Sequence, residues 1–452
     1  MLLVLFTLLP FLGSGVALIV KEHRLLGTGI ALGTLILEAN LLHLLGNGDS
    51  FTVGEIVLGL GPLGVIFLLL FLTVASFAMA YSHWVQRWPD FPPRVLLVLG
   101  CVNATVLTQN LYLTVFLLQV TSLTTLTLTH SPTFGTDSLR SFQRYLVLMA
   151  LSGLFLTLAF ALMENFLLYR DNLLLAKFIF AMMAIGFGIR LAVIPLHLWL
   201  PDLSEHAPPM GIAVIVGIVN STALLLLMLT FQNWPWLLAA AHGQRLLLLG
   251  AVAAIVGGAI LALGEGDLNR MFAYGGVHSF GFVLLGLAST SADGTAEAVF
   301  AAISLALSLL LVFMSLGMIG YCTGESRIDR LGGLRASLPV ASTGLIVGLL
   351  SLLGIPPSAA FASRWMLLFE SAAREGTWLL VTVSLGSLVA AMALFSAFLR
   401  TFFGTDPGGK VAKEPLPAAV LVLLLCAILL FLGLVPGPVL RAVQNATAGF
   451  AY

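Results

Sequence analysis

From Met1 almost to its last residues the chain is a succession of apolar runs of about twenty residues, the length one helical bilayer crossing requires. In hydrocarbon each backbone N–H and C=O must find its partner inside the segment, so such runs fold as membrane helices. About fourteen crossings fit: 1–20, 26–45, 62–82, 94–108, 110–129, 143–163, 172–196, 207–231, 245–264, 271–291, 295–320, 339–372 with a break near 357, 377–402 and 416–436. No soluble domain fits in the short connections between them. With 60% hydrophobic residues, 9% charged residues and a mean hydropathy of +1.08, the chain is expected to be an all-α integral membrane protein in the lipid bilayer. Basic and acidic residues balance at 20 each, and no Lys/Arg run offers a phosphate-binding surface, which sets nucleic acid aside. Cys101, Cys322 and Cys426 lie far apart in apolar surroundings, so they suggest neither disulfides nor a metal site.

Charge in the connections gives the orientation. One set of alternate loops carries Lys21, Arg24, Arg87, Arg94, Arg140, Arg144, Arg270, Arg327, Arg330, Arg335, Arg400, Lys410 and Lys413; the other holds only Arg170, Lys177, Arg245, Arg374 and Arg441. The positive-inside rule then puts both termini on the outer face, with a prokaryotic cytoplasmic (inner) membrane as the expected location. No basic residue precedes the first apolar run and no small-residue cleavage site follows it, so it reads as a retained span.

Two apolar segments are interrupted by proline, and each carries an arginine: Gly188 to Pro201 with Arg190 and Pro195, and Gly354 to Trp365 with Pro356, Pro357 and Arg364. Interrupted helices in corresponding halves of a membrane protein mark an ion or substrate pathway. They fall in the seventh and twelfth spans, five apart and hence opposite in direction, which is the arithmetic of two inverted five-helix repeats, spans 4–8 and 9–13. The expected divisions are a three-helix segment 1–93, a first repeat 94–231, a second repeat 245–402 and a C-terminal helix 403–452.

Arginine at helix-centre depth costs about 2.5–3.5 kcal/mol on insertion scales, so Arg190 is expected to face a cavity, a carboxylate or freed carbonyls. It reads either as a fixed cation in an ion path or as a pin for carbonyls released by Pro195, and Arg364 presents the same pair of readings. Glu38 lies well inside the second span and is a candidate partner for either arginine; the plainer account gives it a backbone or neighbouring-subunit partner. His278, inside the tenth span, suits proton relay by its reference pKa near 6.5, against the plainer role of a buried hydrogen bonder. No catalytic triad, Walker loop, dinucleotide fingerprint or metal-binding motif occurs in a matching context.

The motifs around these residues resemble a known family. Gly186-Phe187-Gly188-Ile189-Arg190, followed by Pro195-Leu196-His197-Leu198-Trp199-Leu200-Pro201-Asp202, is similar to the signature of the antiporter-like subunits of respiratory complex I, Mrp cation/proton antiporters and energy-converting hydrogenases. Asp267 to Tyr274, Gly354 to Trp365 and Leu432 to Pro436 extend the resemblance over most of the chain. It implies fourteen core helices with two inverted repeats, and a central polar axis of titratable groups that passes protons. Against that axis the chain offers Gln119 where a fifth-span glutamate is usual and Arg190 where a seventh-span lysine is usual. Asn220 or Ser221 stands for the eighth-span lysine, Ser279 beside His278 for the tenth-span histidine, and Arg364 for the last charged group. Arginine does not shed its proton under ordinary conditions, so a relay through these positions would be atypical and partly lost.

The resemblance therefore implies a non-redox membrane subunit of a proton-translocating oxidoreductase, NADH:quinone oxidoreductase-like or membrane-bound hydrogenase-like. Its partners would be other membrane subunits and protons or cations. No cofactor is expected in this subunit; iron–sulfur clusters, flavin, nickel–iron or quinone would belong to others. Two other readings are a non-conducting structural subunit of such a complex, and a subunit of an Mrp-type cation/proton antiporter or a related ion or inorganic-carbon uptake complex.

Overall fold

A computed structural model describes the chain except for residues 46–49, 55, 87, 130–135, 167–172, 241–242, 406–410 and 451–452. Of the loop charges used for orientation, Arg87, Arg170 and Lys410 lie outside the described residues. Among the described residues, eleven helices are long and apolar enough to cross a bilayer. Two shorter apolar helices and Leu173–Arg190 complete the expected order. The spans are, in sequence, Leu2–Ile19, Arg24–Leu44, Pro62–Trp84, Phe91–Leu107, Leu111–Thr129, Thr136–Phe166, Leu173–Arg190 with Trp199–His206, Pro209–Asn233, Gly243–Leu263, Leu268–Ala288, Ala292–Thr323, Pro339–Leu353 with Ala359–Glu375, Thr377–Phe403 and Leu416–Leu434. The chain is an all-α membrane protein whose seventh and twelfth spans are broken.

Three features go beyond the expectation from sequence. Strands β1 (Ser50–Val53) and β2 (Ile56–Gly59) form an antiparallel hairpin after the second span, with Ser50 opposite Gly59 and Val53 opposite Ile56. Within the eighth span, Ile215–Asn220 is wound as a π-helix. After the last span, Gly437–Thr447 forms a short helix that buries Val443 and Thr447 and packs on the eleventh span. The hairpin and the terminal helix are too short and too mixed in polarity to register as crossings.

The chain divides into two compact units, Met1–Leu191 with Val214–Ala241, and Ala192–Ala213 with His242–Tyr452. Apolar content is nearly uniform, but burial is not. The most apolar windows of the tenth and eleventh spans are 94% buried, whereas those of the first, thirteenth and fourteenth are only 33% buried and present their remaining apolar surface outward. Leucine is as content beside a lipid tail as beside another leucine, so hydropathy alone cannot separate the two classes.

What brings the ninth and tenth spans together in the second unit is a pair of glycines. A Cβ on Gly258 would lie 2.7 Å from the His278 backbone nitrogen, and one on Gly281 would lie 2.8 Å from the Ala251 carbonyl. Small residues permit this backbone approach, the main source of helix association where water supplies no driving force. The helix ends are set locally. Asp267 caps the tenth span by accepting from the Arg270 N–H at 3.1 Å, and Ser291 caps the eleventh by accepting from the Gly294 N–H at 2.9 Å.

Candidate functional site

In the first unit the site is built around the end of the first half of the seventh span. The helix stops at Arg190, and the chain passes through a turn to the short helix Trp199–His206. Arg190 is 2% exposed. Its Nη1 donates to the Ser122 hydroxyl at 2.7 Å and its Nη2 to the Gln119 side-chain carbonyl at 2.6 Å. The Gln119 amide donates in turn to the Met149 carbonyl at 3.1 Å, linking the fifth, sixth and seventh spans. Gly153 makes room for this clamp, because a Cβ there would overlap the Gln119 amide.

The fifth span continues the polar line. Thr125 donates to the Ser122 carbonyl at 2.7 Å and pairs with the buried Tyr145 hydroxyl at 3.0 Å. Thr121 lies 3.4 Å from Thr105 on the fourth span, and Asn103, also on the fourth span, donates to Glu38 at 2.7 Å. Glu38 was the candidate partner for an arginine; its partner is Asn103, and among the described residues it makes no ion pair with Arg190. The reason is placement: Asn103 meets Glu38 across the second and fourth spans, while the fifth span supplies Arg190 with neutral acceptors. Ser122 and Gly153 were not singled out from the sequence, since a serine and a glycine in apolar helices are ordinary there.

Asn220 is half-buried at the end of the π turn, and the Ser221 hydroxyl faces back to the Val216 carbonyl at 3.4 Å. Neither is bonded to Arg190 among the described residues. A π turn takes in an extra residue, which is why the register of these two is ambiguous from sequence.

The second unit holds the other candidates. The first half of the twelfth span ends at Gly354, whose φ of +66° suits a residue without a side chain, and its last carbonyls are left without helical partners. The freed Leu352 carbonyl accepts from the Ser279 hydroxyl at 2.7 Å and also from Arg364 Nη2. Arg364 is 7% exposed and reaches this carbonyl from the re-entering half-helix, with its guanidinium carbon 4.2 Å from the centre of the Phe282 ring. His278 meets the same ring edge-on, 5.7 Å between centres, and its Nδ1 lies 2.8 Å from the Ile255 carbonyl. Ser308 of the eleventh span donates to Ser351 at 2.6 Å, completing a hydroxyl-lined layer below the break. His278, Ser279 and Arg364 are thus brought together around Phe282 and Leu352.

At one end of the tenth span Arg270 pairs with Glu205 at 3.0 Å and Glu265 at 3.1 Å. Burial pushes the carboxyls of Glu265 and Asp267 above the ordinary range, with the Ser326 hydroxyl opposing the shift at Asp267 and Arg270 opposing it at Glu265. Among the described residues no three His, Cys, Asp or Glu side chains gather as metal ligands.

The family model for NADH:quinone oxidoreductase/Mrp antiporter transmembrane proteins matches residues 108–390, more than half of the chain and both broken spans. The chain belongs to this family. As a member of the NADH:quinone oxidoreductase/Mrp antiporter family it is 28% identical over 273 residues to NADH-quinone oxidoreductase subunit N of Dehalococcoides mccartyi, covering 58% of this chain and 56% of that protein. It is 30% identical over 273 residues to F(420)H(2) dehydrogenase subunit M of Methanosarcina mazei, covering 59% and 54% respectively. The matched part thus spans little more than half the length of these curated relatives. The fold extends further. A chain of the archaeal membrane-bound sulfane sulfur reductase superposes with a TM-score of 0.88 at 19% identity, over 99% of this chain and 97% of that one.

Proposed function

We propose that this family member is an antiporter-like, non-redox membrane subunit of a complex I-related, redox-driven proton-translocating assembly, with an atypical and partly lost proton path. The observation that carries the reading is the Arg190 clamp. A buried guanidinium, held by Gln119 and Ser122, stands beside the break where the family resemblance implies a lysine. Arginine stays charged where lysine can become neutral, so the clamp acts as a fixed positive barrier rather than a stepping stone. His278, Ser279 and Arg364 in the second unit, with Asn220 and Ser221 at the π turn, are the remaining candidates for a hydroxyl- and water-assisted route.

The reading includes two inverted repeats of five spans, residues 94–231 and 245–402, flanked by 1–93 and 403–452. Both termini lie on the outer face of a prokaryotic inner membrane. Redox cofactors belong to partner subunits, and the partners are neighbouring membrane subunits. The likeness to subunits of NADH-quinone oxidoreductase and F(420)H(2) dehydrogenase supports redox coupling over stand-alone antiport.

A second reading, a non-conducting structural subunit of the same assembly, is favoured by one specific observation: both terminal nitrogens of Arg190 are engaged by neutral groups. Proton pumping per electron in vesicles separates the two. Under the first reading, Arg190→Ala changes the ratio while the complex stays assembled. An unchanged ratio in an intact complex selects the structural role. Genes for iron–sulfur or nickel-site subunits beside this one support redox coupling, and Mrp-type subunits alone count against it.

A further inference from the structure

The eleventh span carries a carboxyl that the functional reading above leaves unused. Glu297 lies in the second turn of Ala292–Thr323 and is 4% exposed, and its Oε2 is buried without a hydrogen-bond donor among the described residues. By itself that says little, because water can serve such an oxygen. Charge, orientation and access say more.

The charges that act on Glu297 share its sign. Asp293 stands one turn earlier on the same helix, and Glu370 comes from the second half of the twelfth span. Arg374, on that same half-helix, is already engaged: its Nη2 pairs with Glu370 at 2.8 Å and its Nη1 donates to the Ser289 carbonyl. Arg441, on the terminal helix that packs on the eleventh span, is exposed, and its Nε donates to the Gly437 carbonyl of its own helix at 3.3 Å. Among the described residues no cation pairs with Glu297.

Glu297, Ser304, Ser308 and Ser315 recur at intervals of seven, four and seven residues. On an α-helix that spacing puts all four within about 20° of one line. The line faces the twelfth span, because Ser308 donates to Ser351 at 2.6 Å and a Cβ on Gly344 would strike the Ser315 hydroxyl. The carboxyl therefore sits on the inward face of its helix, the face that carries the hydroxyl layer below the break. It is also close to the helix start, about 8 Å along the axis from Ala292. There Ser291 donates to Glu370 at 2.9 Å, and Glu370 and Arg374 are both partly exposed. A buried carboxyl with like charges beside it and no counter-ion meets burial by binding a proton, an option closed to a guanidinium.

We propose that Glu297 is a proton-binding site of the second unit, exchanging its proton with water at the Ser291, Glu370 and Arg374 end of the eleventh span. In the exchange an O–H bond forms on the carboxylate as hydronium becomes water, and the reverse step breaks it. The inference rests on the conducting function proposed above and deepens it: Glu297 supplies, at one end of the second half, the titratable group that Arg190 and Arg364 do not.

The test uses the whole assembly in membranes and pH-difference infrared spectroscopy, which reads the C=O stretch of a protonated carboxyl. The wild type is expected to show such a band that fades as the pH of the medium rises. Glu297→Gln should lack it, and Glu38→Gln, which removes the buried carboxyl of the second span, should keep it. Protons pumped per electron are expected to fall in Glu297→Gln while the complex stays assembled, a loss that a purely structural carboxyl would not cause, since glutamine keeps its shape. Should Glu297→Gln not assemble, wild-type membranes are treated with dicyclohexylcarbodiimide, which adds to protonated carboxyls. Peptide mass spectrometry is then expected to find Glu297 modified at acid pH and spared at alkaline pH. A spectrum unchanged by Glu297→Gln, a pumping ratio unchanged in that variant while Arg190→Ala alters it, or a Glu297 that stays unlabelled at every pH overturns the proposal. A ratio unchanged in both variants is a failure of the conducting reading instead, and the infrared band then decides Glu297 by itself.

Discussion

Arg190 Nη2 and the side-chain carbonyl of Gln119 meet at 2.6 Å, while Nη1 of the same guanidinium donates to the Ser122 hydroxyl at 2.7 Å. The contact fixes the arginine against the fifth span and makes Gln119, a residue without charge, one of the two neutral acceptors that hold it there. Gln119→Leu removes the acceptor and is expected to destabilise the chain by about 1.5–3 kcal/mol, the range for a lost bond to a charged group. Gln119→Glu keeps the bond to Arg190 but loses the donor to the Met149 carbonyl, so its stability should fall between wild type and Gln119→Leu. Unfolding in a denaturing detergent series, read on purified protein, ranks the three.

Gly153 tests the same clamp from the other side. Alanine there forces the Gln119 amide to move, and Gly153→Ala should lower stability by about 1–3 kcal/mol. In the double variant with Gln119→Ala, where the obstructing amide is gone, most of that loss should disappear. A double-mutant cycle with no coupling would show that Gly153 acts elsewhere.

Glu38 and Asn103 make a buried pair at 2.7 Å, and their replacements should behave asymmetrically. Glu38→Gln keeps a carbonyl acceptor for Asn103 and should leave expression and stability close to wild type. Asn103→Leu strips a buried carboxyl of its donor and should cost about 1–3 kcal/mol. Equal losses in the two variants would contradict the pairing as the source of stability.

Asp267 links capping to pH. Burial raises its carboxyl above the ordinary value near 3.8, so the folded form binds this proton more tightly than the unfolded form does. Its contribution is therefore fully present below that ordinary value and is lost as pH rises through the raised one. Asparagine caps as well as aspartate and does not ionise. Asp267→Asn should gain stability relative to wild type as pH rises from about 4 toward neutrality. Melting curves for both proteins across that interval would reveal a constant difference if the shift were absent.

Close approach of the ninth and tenth spans gives a prediction that does not involve charge. Gly258→Leu sets a branched side chain against the His278 backbone nitrogen and should prevent the two helices from packing, seen as loss of folded protein. Gly15, where a Cβ would meet nothing within 4 Å, should accept leucine without that effect.

Much of this was legible in the order of residues. The apolar runs mark the crossings because bilayer thickness fixes how many residues a helix must keep free of charge. Pro195, Pro356 and Pro357 mark the breaks because proline cannot continue the backbone ladder, and Arg190 and Arg364 stand out because charge is rare at that depth. The partners of those arginines were not legible. Gln119 and Ser122 reach Arg190 across about seventy positions of sequence, and Leu352 is available to Arg364 and Ser279 only because the helix ends beside it. Glu38 shows the limit most clearly: its charge makes an arginine one candidate partner and the plainer account gives it backbone or a neighbouring subunit, yet the packing of the second and fourth spans hands it to Asn103. Residue order alone sets which segments enter the membrane, where two of them break and which cations they carry, since those follow from solvation and backbone chemistry along one chain. Which neutral groups surround each cation was decided by tertiary packing, because a hydrogen bond between helices depends on the rotation and closeness of two surfaces that no single segment specifies.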